Sequence, residues 1–134
     1  MLKAKDIMNE NIVSVTKETP MIEAARIMAR NDISGIPIVD DQMVLEGVIT
    51  EKDILALFDV LQYDENRTVN SAMTHTVISF DANDLLLDIC DCLKDHEFRR
   101  VPVTENGKLV GIISRRDLML HIVKQREMNV SRYS

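Results

Sequence analysis

The chain has no tryptophan, only two cysteines, and aromatic side chains at just 4% of its 134 positions. A disulfide framework is excluded, because Cys90 and Cys92 stand two residues apart and a bridge between them would close a small strained ring. Two free thiols in a reducing compartment are expected. Long apolar runs are also missing. Nothing approaches the roughly 18 consecutive apolar residues of a membrane span, and the opening "MLKAKDIMNENIVSV" lacks the apolar stretch of a secretory signal. The expected location is the cytoplasm, with no membrane partner. Positive charge is in deficit, with 16 Lys and Arg against 22 Asp and Glu for a net charge of −6. That balance disfavours binding along a nucleic-acid backbone. Catalytic spacing is absent too. His75 and His121 have no carboxylate or nucleophile at an informative distance along the chain, so no enzyme is expected and no cofactor is required.

What is present is repetition. "GVITEKDI" begins at Gly47 and "GIISRRDL" at Gly111, 64 residues later, while Met8 and Met73, Ser14 and Ser79, and Pro37 and Pro102 are each 65 apart. One residue differs in the loop between "IVDDQM" and "VTENGK". A hydrophobic content of 46% suffices for one ordinary core, and the period suits two half-domains rather than a solenoid. The boundaries read as copy one at 1–61, a linker at 62–68 and copy two at 69–134.

Each copy alternates strand-like and helical patterns. "NIVSV" and "TVISF" read as short strands. Met21, Ala24, Ala25 and Met28 form a helical stripe, matched by Leu86, Ile89, Cys90 and Leu93. Thr19 before Pro20 predicts a hydroxyl cap with proline at the first helical position, and Asp84 is its counterpart. "GIPIVD" with "VLEGVIT", and "RVPVTE" with "KLVGIIS", predict strand pairs joined by polar turns. Ile54, Leu57, Phe58 and Leu61 share one face of a final helix. Each copy is thus an α/β unit of strand, helix, strand, strand, helix.

The repeated phrase supports two compatible readings. In one, Thr50 and Ser114 cap the final helices, and Asp53 and Asp117 three residues later complete a capping box, although Asp is shorter than the usual Glu or Gln. In the other, the hydroxyl, the carboxylate and the free helix amides hold a ligand. Capping leaves Gly47 and Gly111 unexplained, because glycine weakens a strand unless something approaches its backbone closely.

The "DIM" and "SAM" starts, "TPMIEAARIM", "ISGIPIVD", "FRRVPVTE" and the two quoted phrases, in this order from about Lys5 to Val123, resemble the CBS domain family and its tandem pairs, the Bateman modules. The resemblance implies two repeats packed about a pseudo-twofold axis, with clefts that bind adenine nucleotides. By position, one site takes Ser114 and Asp117 with Thr19, Ala24, Ile33 and Ser34. Asp117 accepts from the ribose, Ser114 lies near ribose or phosphate, and Ala24 leaves room for the adenine. The other takes Thr50 and Asp53 with Asp84, Phe98, Arg99 and Arg100, Arg100 matching an arginine aimed at phosphate. Ile89 and Asp84, replacing Ala24 and Thr19, weaken that second site. The resemblance further implies a regulatory module that senses AMP, ADP or ATP, forms a homodimer and signals to a separate partner protein. S-adenosylmethionine, cyclic dinucleotides and NAD-type ligands also occur in the family.

Other features have plainer explanations. Arg99, Arg100, Arg115 and Arg116 form the main basic cluster and suit phosphate, against a reading as surface charges paired with nearby carboxylates. Cys90, Cys92 and His96 suggest a metal site only weakly, since the thiols point from different faces of a helix. Two rival functions are an interaction module without ligand, which promotes oligomerisation, and a metal-dependent enzyme using the thiols.

Overall fold

A computed structural model describes the chain except Gln62, Tyr63, Glu65 and Ser134, and gives the backbone alone at 60–61 and 130–133. Three residues of the expected linker therefore lie outside the described residues. The elements run α1 (Ala4–Ile7), α2 (Met21–Asn31), β1 (Gly35–Val39), β2 (Leu45–Thr50), α3 (Glu51–Leu55) and α4 (Phe58–Leu61). After a single 3-10 turn at Val69–Ser71 come β3 (Phe80–Asp81), α5 (Leu86–Asp95), β4 (Arg100–Glu105), β5 (Lys108–Ser114) and α6 (Arg115–Tyr133).

The helical stripes become buried faces. Helix α2 buries Met21, Ala24 and Met28, and α5 buries Leu86, Ile89 and Leu93. Strands β1 and β2 pair antiparallel with an irregularity after Ile38, and β3, β4 and β5 form a second sheet in that order. The loop difference between the copies is a difference of turn. Asn106 and Gly107, at φ 55° and 79°, join β4 to β5 in two residues, as a tight hairpin demands. Copy one instead uses Asp40, whose carboxylate accepts from the N–H groups of Gln42 and Val44 at 2.8 and 2.9 Å, and Met43 takes a φ of 65°.

Three local expectations change. Thr19 and Asp84 do not cap the helices: α2 begins after Pro20 and α5 after Leu85, neither with a side-chain cap. Their side chains instead accept from Thr16 N–H at 3.2 Å and Asp81 N–H at 2.8 Å, closing the preceding turn in each copy. Of "NIVSV" only Val15 reaches a sheet, bridging Ile38, and of "TVISF" only Phe80, which starts the parallel pairing of β3 with β4. Finally, the last helix of copy one breaks at Ala56–Leu57. Ile54 and Leu57 pack on the core, whereas Phe58 is 57% exposed.

The chain forms two compact units, and each borrows from the other copy. One unit comprises Met1–Ile12, Ile78–Asn106 and the chain from Val110 on, and the second comprises Val13–Val77 with Gly107–Leu109. In the unit carrying β4 and β5, the N–H groups of Ala4 and Leu86 donate to Asp84 O and Leu2 O, both at 2.9 Å. In the unit carrying β1 and β2, the N–H groups of Val69 and Met21 donate to Thr19 O at 2.9 Å and Arg67 O at 2.7 Å. The two sets match residue for residue at the repeat spacing. Ala4 is fully buried with Ile89, Val101, Val103 and Ile113, and Val69 with Met21, Ile36, Ile38 and Ile49.

This exchange accounts for the strand glycines. A Cβ built on Gly47 would lie 2.5 Å from Met73 Cε and from Thr74 O, and one on Gly111 would lie 2.5 Å from Met8 Sδ. Backbone bridges Val48–Thr74 and Asn9–Ile112 hold these segments in place. The close approach comes from the borrowed segment.

Candidate functional site

At the start of α3, Thr50 N–H donates to Asp53 Oδ2 at 2.8 Å, and Asp53 N–H donates back to Thr50 Oγ1 at 3.3 Å. The Thr50 hydroxyl also donates to Oδ2 at 2.9 Å. At the start of α6, Ser114 N–H donates to Asp117 Oδ2 at 2.9 Å, and Asp117 N–H to Ser114 Oγ at 3.0 Å. Both capping boxes close with Asp despite its length, because the extended residue at the cap turns its amide toward the third helical position. In both carboxylates the capping bonds use Oδ2 only. Oδ1 accepts no hydrogen bond among the described residues. All four residues are half-buried.

The residue before each first strand is brought to these helix starts. Glu51 N–H donates to Ser34 O at 2.9 Å, and Arg115 N–H donates to Arg99 O at 2.8 Å. Ser34 thus adjoins the Thr50–Asp53 turn, and Arg99 adjoins the Ser114–Asp117 turn, a neighbour that the positional carry-over had listed with the other aspartate. Ile33 is half-buried on the core of its unit. Phe98 packs on the other core and stacks on His96, with centroids 5.0 Å apart and planes at 20°. Ala24 is fully buried in the helix–sheet core, as is its counterpart Ile89. The Thr19 hydroxyl is engaged by its own turn.

Sequence reasoning missed Met8 and Met73, which set the position of the strands leading into both helix starts. The signal was available in their equal spacing with the strand glycines. The arginines are also clearer. None of Arg99, Arg100, Arg115 and Arg116 has a carboxylate partner among the described residues, where the ion pairs are Lys17–Glu46, Arg26–Glu23 and Lys94–Asp91. Arg115 donates to the His96 carbonyl, and Arg100 Nε is buried without a partner.

The thiols are held in their neutral form. Burial raises the Cys90 and Cys92 pKa values above the ordinary thiol value, with further increases from Asp91 and Asp95 respectively. Among the described residues, no three His, Cys, Asp or Glu side chains gather into a metal-holding group. No helix among them is long and apolar enough to cross a membrane.

Residues 4–59 and 69–124 each match the model of the CBS domain, so the chain belongs to the CBS domain family. It is 34% identical over 116 residues to a Methanocaldococcus jannaschii protein, covering 86% of this chain and 41% of that one. It is 31% identical to hypoxic response protein 1 of Mycobacterium tuberculosis, covering 91% of this chain and 86% of that one. A crystal structure of the hypoxic response protein with two coordinated zinc ions matches with a TM-score of 0.76 over 90% of this chain and 99% of that one. CBSX2 of Arabidopsis thaliana, a CBS-pair protein, has a crystal structure in complex with AMP that is 25% identical, with a TM-score of 0.82 over 94% and 99% of the two chains.

Proposed function

We propose that this chain is a regulatory CBS pair that binds an adenine nucleotide without transforming it and signals the binding to a partner protein. The observation that carries this reading is the division of labour in each capping carboxylate. Oδ2 closes the helix start, while Oδ1 of Asp53 and of Asp117 stays available beside a hydroxyl and helix amides. A ribose diol donates what such an oxygen accepts, and a phosphate accepts what a helix start donates. The likeness to CBSX2, whose structure holds AMP, supports the same ligand class. Thr19, Ala24, Ile33, Ser34, Phe98, Arg99 and Arg100 are the further contacts of the proposal, AMP, ADP and ATP its leading ligands, and the cytoplasm its location. The ligand biases the partner surface only by binding one arrangement of the chain more tightly than another.

Homodimer formation is part of the reading. The final helices expose equivalent apolar residues, with Leu55 at 66% and Phe58 at 57% in one copy, and Met119 at 60% and Ile122 at 61% in the other. Large exposed apolar side chains grouped in this way suit contact with a second copy. Sedimentation velocity then gives a dimer, and a monomer at all concentrations removes this part.

Isothermal titration with AMP, ADP, ATP and S-adenosylmethionine tests the ligand. The reading expects saturable binding of an adenine nucleotide, weakened about tenfold or more in Asp117→Asn or Asp53→Asn by loss of a charge-assisted bond. Absence of binding by all four, or unchanged affinity in both variants, leaves the interaction module as the function.

A further inference from the structure

We infer that the phosphate of the ligand is held only by the unit that carries Ser114 and Asp117, so that each chain takes one phosphorylated nucleoside. This rests on the nucleotide reading above and adds where the negative charge goes. At the repeat spacing, Arg99, Arg100, Arg115 and Arg116 correspond to Ser34, Gly35, Glu51 and Lys52. The backbone shows that these positions are equivalent in space as well, since Arg115 N–H meets Arg99 O just as Glu51 N–H meets Ser34 O. Two helix starts built on the same plan therefore differ in charge, one surrounded by four arginines, the other by one lysine and one glutamate. Asp53 makes the second start still more hostile to phosphate.

Two further observations single out the arginine side. Its guanidinium groups have no carboxylate partners among the described residues, in a chain with 22 acidic side chains. Unpaired arginines grouped beside a helix N-terminus and a hydroxyl form a receptor for a planar, doubly charged group. In addition, Arg100 Nε is buried with no hydrogen-bond partner. A buried N–H left unpaired is unfavourable, and an anion oxygen would relieve it. Gly35, at the equivalent place, offers no side chain. Arg115 is already engaged with the His96 carbonyl, which leaves Arg99, Arg100 and Arg116 as the phosphate contacts.

The test is calorimetric titration of the whole chain with AMP and with adenosine, for the wild type, R99Q, R100Q and R100K. Circular dichroism establishes that each variant is folded. One AMP per chain is expected, preferred over adenosine, with the preference falling about tenfold in R99Q or R100Q while adenosine affinity holds. R100K, which keeps the charge, retains most of the preference. Two equivalent AMP molecules per chain, or a preference unchanged in both glutamine variants, overturns the inference and leaves the nucleotide reading intact. Failure of AMP and adenosine alike to bind brings down the nucleotide reading itself, and this inference with it.

Discussion

Gly47 and Gly111 show how much one missing side chain settles. Each sits inside a strand, where glycine is otherwise a cost, and each has a borrowed methionine against the place a Cβ would fill. The two sites differ in what can yield. At Gly111 the obstacle is the Met8 side chain alone, whereas at Gly47 it includes the Thr74 carbonyl oxygen. Gly47→Ala is therefore expected to destabilise the chain by about 1–3 kcal/mol in urea unfolding. Gly111→Ala should cost less in a Met8→Ala background than alone, giving a coupling above about 0.5 kcal/mol. For Gly47→Ala, Met73→Ala should give little relief. Equal relief at both sites would contradict the contacts described. The oddity of these glycines was legible in the sequence, but its cause was not, because a repeat alignment does not show which copy's methionine meets which strand. The capping boxes were legible in full, down to the pairing of Thr50 with Asp53 and Ser114 with Asp117.

At the scale of elements, periodicity identified the buried faces of α2 and α5 and the strand pairs, all of which depend on local spacing. It overextended the leading strands, because "NIVSV" and "TVISF" have strand composition while only Val15 and Phe80 reach a neighbouring strand. It also gave no sign of the exchange of leading segments, which is a tertiary choice between two chemically similar cores. That exchange predicts where damage spreads. Removing residues 1–12 takes Ala4 and Met8 away from the core formed by Ile89, Val101, Val103 and Ile113. Hydrogen exchange in the truncated chain should then accelerate in α5, β4 and β5, with β1 and β2 far less affected. Faster exchange in β1 and β2 instead would contradict the assignment of residues 1–12 to the other unit.

For the molecule as a whole, the α/β class and the two CBS repeats were readable because order and spacing repeat over almost the entire chain. The placement of charge around the helix starts needed the structure, since it depends on Arg99 meeting Arg115 across the sheet end. The central claim is that these starts serve a nucleotide as well as the fold, and the two roles separate in one measurement: thermal unfolding of the wild type and Asp117→Ala, each with and without AMP. Loss of the cap lowers the melting temperature of the variant by itself, at a cost of about 1 kcal/mol. AMP at a hundred times its dissociation constant adds about 2.7 kcal/mol to the wild type, a rise of several degrees. The account predicts that rise in the wild type and its loss in Asp117→Ala. An equal rise in both proteins, or none in the wild type, would contradict it.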